Sequence, residues 1–240
     1  MPVREQPPAQ HRNRILSSLP KKEYNRLLPQ MEEGSLERGQ ILIAPGTPIR
    51  HVHFPLNAMI SIVSFTEEGL SIETGVIGSD GMLGLPVLLG TNTTPMQSVA
   101  QIPGRAMRME ARAFKREFDS GGAFSEALLR YVHVLVIEIS QTAACNKLHS
   151  IEGRLARWLL MSSDSIGSDE LPLTQDFISS MLGVRRAGVT EAAAALRRKG
   201  LISYRQGLIT VADRAGLEAK ACECYEVVKR EYDRLFPRGV

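Results

Sequence analysis

Cysteine is scarce in this chain: of 240 residues only Cys145, Cys222 and Cys224 carry a thiol. An odd, sparse set does not make a disulfide scaffold and suits a reducing cytoplasm. Cys222-Glu223-Cys224 reads as a lone C-x-C without a second cysteine pair, on the face of a C-terminal helix. No run of about 18 apolar residues occurs, so no membrane span is expected. The first twenty residues hold Arg4, Arg12 and Arg14 but no apolar segment, which argues against a secretory signal. The net charge is only +3, too small by itself to announce a nucleic-acid partner. What remains is a chain long enough for two modest domains, expected in the cytoplasm.

Residues 1–11 are rich in Pro and Gln and read as a disordered lead-in. Residues 12–31 look helical, with Ile15, Leu16, Leu19, Leu27 and Leu28 among charges and Pro20 as a break. From Gly34 to about Arg112 short β-rich runs alternate with Gly, Pro and Asn turns: Ile41–Ile43, His51–Phe54, Met59–Phe65, Ser71–Val76 and Gln97–Ile102. That spacing suggests an all-β sandwich or barrel. Ala111–Phe118 reads as a short helix. Between Gly122 and Gly153 lie thirty residues without Gly or Pro. One helix of that length spans about 45 Å at 1.5 Å per residue. Leu129, Val132, Val136, Ile139 and Ala143 step 3-4-3-4 along it, the spacing of a coiled-coil seam. Leu128, Tyr131, Leu135 and Leu148 give a second apolar stripe. The helix is therefore expected to pack on its own β-domain and on a second copy of itself. Asn146 and His149 mark a hinge into a helix over about Ser150–Ser163, with Leu155, Trp158 and Leu159 inward, and Ser162–Glu170 reads as a loop.

The stretch LTQDFISSMLGVRRAGVTEAAAALRRKGLI, Leu173–Ile202, holds two apolar-patterned segments separated by a Gly-Val step. Thr174 can cap the first, with Asp176 in its first turn. Phe177, Ile178, Met181 and Leu182 give it one apolar face, and Gly183 stops it. A second helix begins near Arg185 or Arg186, buries Val189, Ala193 and Leu196, and ends at Gly200. Leu201–Tyr204 and Leu208–Val211 alternate around Arg205-Gln206-Gly207 as a hairpin. Helix, tight turn, helix and hairpin make a winged helix-turn-helix, whose second helix enters a major groove. From Arg185 to Arg205 six basic residues face one acid, Glu191.

Together with SIEGRLARWLL before it, and with APGTPIRHVHFP and GSDGMLGLPVLLG in the β-region, this segment resembles the Crp/Fnr family of transcription regulators over essentially the whole chain. The resemblance implies an α+β fold of two domains. An N-terminal β-roll (a cupin-like jelly roll) serves as sensor over 12–121, a long dimerisation helix follows over 122–149, and a C-terminal winged helix-turn-helix occupies 150–240. It implies a homodimer on double-stranded DNA with a palindromic operator, recognition helix 185–199, RNA polymerase as a partner and a small effector. In such helices an Arg, an adjacent Glu and a second Arg four residues on read bases. Arg186 matches the first, but Ala187 and Glu191 stand at the other two positions. Arg186 can grip a guanine edge, while Glu191 can only accept, as from cytosine N4. The expected base readers are Arg186, Thr190 and Glu191. Gln175, Arg185 and Arg205 are expected on phosphates. The seam Leu129, Val132, Val136, Ile139 and Ala143 is expected in the dimer interface.

The family's cyclic-nucleotide pocket uses a Gly-Glu-Leu segment and a nearby Arg. Here Leu85 follows Gly84, the Arg position falls near Thr94-Pro95, and no Arg or Lys lies between Arg50 and Arg105. A buried cyclic phosphate without a cation is strongly disfavoured, so no cyclic nucleotide is expected. The iron–sulfur version of the family needs about four suitably placed cysteines, and none precedes Cys145. Haem ligation by His51, His53 or His133 competes with ordinary structural histidines. An alternative from another class is a cupin-like metalloenzyme with a helical appendage, using His51 and His53 on one strand face. It lacks the Glu and third His such enzymes need, so neither metal nor cofactor is expected, nor enzyme activity. A third reading is a ligand-binding module acting through protein contacts.

Overall fold

The computed structural model describes residues 12–68, 71–205 and 207–237; the lead-in expected over 1–11 lies outside them, as does Gln206 of the hairpin turn. The single helix expected over 12–31 is two short ones, α1 (Arg14–Ser17) and α2 (Lys21–Leu27), with a 3-10 turn at Leu28–Gln30. Pro20 and Pro29 cause the breaks, because each lacks the N–H that a continuing helix needs. Asn13 caps α1 by accepting from the Leu16 N–H, and its amide donates to the carbonyls of Pro55 and Gly81, stapling the chain start to the β-region.

The β-region holds β1 (Met31–Leu36), β2 (Ile41–Ile43), β3 (His51–Pro55), β4 (Met59–Phe65), β5 (Ser71–Ile77), β6 (Gln97–Ile102) and β7 (Gly104–Glu110), with a one-turn helix α3 (Leu85–Leu88) before β6. They form two antiparallel sheets, β1-β7-β3 and β2-β6-β4-β5. Two of these strands, β1 and β7, are not among those expected from the sequence. Neither is apolar enough to signal itself: β1 buries only Leu36, and β7 alternates Arg105 and Arg108 with Ala106, Met107 and Met109. The pairing explains the charges, since Arg108 meets its register partner Glu32 at 2.7 Å and Arg105 meets Glu33 at 2.6 Å. Gly104 is required at the start of β7, because a Cβ would lie 2.8 Å from the Asn57–Ala58 backbone.

Helix α4 (Ala111–Asp119) leads into α5 (Ala123–Leu148), which is 26 residues long, about 39 Å at 1.5 Å per residue. Phe54, Phe114 and Phe124 cluster where β3, α4 and α5 meet, with ring centroids 5.8–6.4 Å apart. Leu128, Tyr131 and Val134 of α5 are buried against the sheets, but Leu148 is 74% exposed and does not belong to that stripe. His149 breaks the helix in extended conformation and Ser150 caps α6 (Ile151–Ile166), which buries Leu155, Trp158 and Leu159. It runs past Ser163 to a left-handed Gly167, so the loop expected over Ser162–Glu170 is only three residues long.

Then come β8 (Glu170–Leu171), α7 (Gln175–Leu182), α8 (Arg186–Arg198), β9 (Ile202–Arg205), β10 (Leu208–Val211), α9 (Arg214–Lys220) and α10 (Cys224–Leu235). The expected hairpin is a three-stranded wing, β8-β10-β9. The second core spans α6 to Tyr225 and takes in Met59 of β4 and Ile102 of β6. Helix α10 leaves it: Val228, Tyr232 and Phe236 pack into the N-terminal core, against the side of α5 away from its seam. The long helix thus has an unforeseen partner within its own chain.

Candidate nucleic-acid interface

Local chemistry shapes the helix-turn-helix. The Thr174 hydroxyl accepts from the Phe177 N–H and opens α7. Gly183 closes it at φ +61, a conformation that costs a side chain about 1–2 kcal/mol. The chain then extends through Arg185, whose φ of −66 and ψ of 146 make it the N-cap of α8. Val189, Ala192, Ala193 and Leu196 are buried, and the small alanines let α8 lie close to its neighbours. Gly200, at φ +73, ends the pair and turns the chain into the wing.

The outward face of α8 presents Arg186, Thr190 and Glu191, all exposed and within two turns of its N-terminus. Arg186 is 66% exposed and its Nε lies 3.2 Å from Asp176 Oδ1 at the start of α7. The Thr190 hydroxyl is 3.0 Å from Gln175 Oε1 and from the Arg186 carbonyl, and donates to one or the other. The structure therefore brings together Arg186, Thr190 and Gln175, with Arg185 one residue before and Glu191 beside them. Arg205 is exposed at the end of β9, on the wing. Arg185 and Arg186 diverge because one is extended and the other helical. Lys199 belongs elsewhere: its ammonium is held by Glu152 of α6 at 2.7 Å.

Two buried arginines, invisible as such in the sequence, set the helix-turn-helix on its support. Arg154 of α6 donates to Asn146 Oδ1 at the end of α5 and to the Leu182 carbonyl at the end of α7. Arg157 donates to Thr142 Oγ1 of α5 at 3.0 Å. Trp158 packs against Phe177, with ring centroids 5.8 Å apart and the planes tilted by 60°. The sensor half also touches this assembly, since Arg38 donates to the Pro172 carbonyl and Ile72 of β5 approaches Gly183.

The seam of α5 lies on one exposed face: Leu129 is 55%, Val136 57% and Ile139 54% exposed, with Ala143 exposed and Val132 half-buried. A cavity of about 270 Å³ separates β5 from α5 and α6. Its walls carry Glu73, Asp80 and Glu138 beside Arg154 and Arg157. Burial pushes Glu73 up to about 8, against weaker pulls from Ser61 and Trp158. Desolvation, then Asp80, pushes Glu138 up to about 8, opposed by Arg157. His53 is buried on β3, its backbone paired with Leu83, and desolvation lowers its pKa to about 4. His51 and His53 have no acidic or third-histidine companion at metal-binding distance among the described residues.

Comparison with known proteins matches both halves. The profile of the cyclic nucleotide-binding domain matches residues 33–120, and that of the Crp-like helix-turn-helix domain matches residues 153–220. Among solved structures, FixK2 from Bradyrhizobium japonicum superposes with a TM-score of 0.68 at 13% identity, over 80% of this chain and 98% of that one. A CRP-family transcriptional regulator from Thermus thermophilus gives 0.65 at 18% identity, over 78% and 96%. The c-di-GMP-responsive global regulator CLP from Xanthomonas campestris gives 0.62 at 13% identity, over 81% and 100%. At these identities the superpositions speak for the fold alone. No curated protein matches the chain.

Proposed function

The chain belongs to the Crp/Fnr family of transcription regulators, and from that premise we propose that it acts as a homodimer on a palindromic operator without using a cyclic nucleotide. The carrying observation is the exposed cluster at the N-terminus of α8, where Arg186, Thr190 and Glu191 face outward on a helix held by α6, α7 and the wing. In this reading Arg186 reads a guanine, Glu191 accepts from cytosine N4, and Thr190 contacts a neighbouring base. Gln175, Arg185 and Arg205 hold phosphates and fix register.

The exposed seam of α5 supports the dimer. Two chains paired along it would set two recognition helices about 34 Å apart, one DNA turn. The lack of any Lys or Arg between Arg50 and Arg105, with Leu85 after Gly84, supports the lack of cyclic-nucleotide binding. A different small effector and contact with RNA polymerase complete the expected mode of action. A DNA partner fits a cytoplasmic protein, and no helix among the described residues is long and apolar enough to cross a membrane. The cupin-like enzyme reading has no support, because His51 and His53 gather no further ligands.

Selection of bound fragments from random DNA, with light scattering on the same protein, tests this. A two-fold symmetric sequence bound by a dimer is expected. A monomer at micromolar concentration with and without DNA, or no enriched sequence, would sink the proposal.

A further inference from the structure

All three thiols of the chain meet at one place. Cys145 lies in the last turn of α5, and His149, four residues on, is the extended residue that caps its end. Opposite them stand Cys222 and Cys224, at the entry to α10. The Sγ atoms of Cys145 and Cys222 are 3.4 Å apart, and Cys224 Sγ is 3.5 Å from His149 Nδ1. All four donor atoms lie within 4.8 Å of one another. Cys145 and Cys224 are buried, and Cys222 and His149 are half-buried. The C-x-C that looked partnerless in the sequence is therefore half of a four-ligand cluster.

Zinc–thiolate bonds are about 2.3 Å, so the corners of a tetrahedron around one zinc ion stand about 3.8 Å apart. The cluster already has those dimensions. The outer face of the imidazole agrees: His149 Nε2 lies 3.1 Å from Glu223 Oε1. When the carboxylate accepts a hydrogen bond from Nε2–H, the Nδ1 lone pair is left aimed at the sulfurs, the arrangement that orients metal-bound histidines. A disulfide would join only two of these groups and leave a thiol and an imidazole facing it.

We propose that Cys145, His149, Cys222 and Cys224 bind one zinc ion in a closed Cys3His site that clamps the end of α5 to the start of α10. Three soft thiolates and an imidazole select zinc over oxygen-seeking cations. Four protein ligands leave no open position, so the ion is structural. Three thiolates, a neutral imidazole and a dication sum to one negative charge, which the Arg157 guanidinium offsets. The site sits where Ser150 begins α6, at the bend between the long helix and the DNA-reading half. It stands independently of the DNA-reading proposal.

The test is the metal content of the full chain, purified without a histidine tag or chelators. One zinc per chain is expected by mass spectrometry of the elements. Replacement by cobalt should give the intense visible bands of a tetrahedral thiolate site. Cys222→Ser and His149→Ala should each lower zinc to background or weaken its retention against a chelator by at least tenfold. If the variants fail to fold, a thiol-blocking mercurial added to the native chain should release the zinc to a chromogenic chelator. The proposal is overturned by a metal-free chain that takes up no cobalt, or by full zinc content in Cys222→Ser. Iron with acid-labile sulfide, or a Cys145–Cys222 disulfide in anaerobically prepared protein, overturns it as well. No DNA enters these measurements, so failure of the operator selection leaves them unaffected.

Discussion

Two stretches of this chain treat positive charge in opposite ways. From His51 to Gly104 there is neither Lys nor Arg, whereas six basic residues fall between Arg185 and Arg205. Both stretches fold around well-buried apolar cores. The difference therefore concerns what each half can hold at its surface or in its cavity. The N-terminal half has the architecture of a cyclic nucleotide-binding domain and carries no Lys or Arg over that stretch. The reader half keeps both architecture and charge. Under the proposed function, fold and ligand chemistry are separate in one half and joined in the other.

The largest test of this contrast removes the pairing that lets the charged half act twice. Val136→Asp puts a carboxylate in the exposed seam and should abolish dimers and operator binding together, read by light scattering and mobility shift. Operator binding by a monomeric variant would mean that the reader works alone. Next, Arg186→Ala should cost about 1–3 kcal/mol on the selected operator, roughly 5- to 150-fold, and flatten discrimination at one base pair per half-site. Retained discrimination would remove Arg186 from the base readers.

A third test addresses the joint between the halves, where Glu73 of β5 faces Trp158 of α6. Its carboxyl is raised from 4.5 to about 8 in the fold, so the folded state favours the neutral form. That contribution is fully present below about pH 4.5 and lost as pH rises through about 8. Glu73→Gln should therefore match the parent near pH 4.5 and be increasingly the more stable of the two as pH rises to 9, read as a growing difference in Tm. Glu138, raised in the same way, keeps a residual slope. An unchanged Tm difference across pH would show that Glu73 is not held neutral. Smaller still, Arg185→Ala should weaken all sequences about equally and lower the salt slope by about 1. Selective loss at one base pair would exchange its role with that of Arg186. Finally, cyclic AMP should shift neither Tm nor operator affinity, and micromolar binding by calorimetry would erase the contrast itself.

What the sequence disclosed follows from how local each feature is. The helix-turn-helix was legible because Thr174, Gly183 and Gly200 act on their immediate neighbours, and the apolar spacing of α7 and α8 needs no distant partner. The long helix was legible from its missing Gly and Pro. β1 and β7 were not, since their stability lies in cross-strand pairs such as Glu32–Arg108 that no single strand reveals. Arg154 and Arg157 look like surface charges until Asn146, the Leu182 carbonyl and Thr142 are brought to them. The thiol cluster left a faint local trace, Cys145 and His149 four apart and Cys222 and Cys224 two apart. Joining the pairs required knowing that α10 folds back, and its i, i+4 apolar spacing says only that it is buried somewhere.

That return of α10 also governs the order in which the molecule can be completed. A ribosome delivers Ile15 and the β-strands first, yet Phe236, 1% exposed, is part of the same core. The DNA-reading core needs nothing beyond Tyr225. Synthesis from the N-terminus ordinarily lets the first domain fold first. Here the N-terminal core, begun first, receives its last side chain only after every residue of the DNA-reading core has been made.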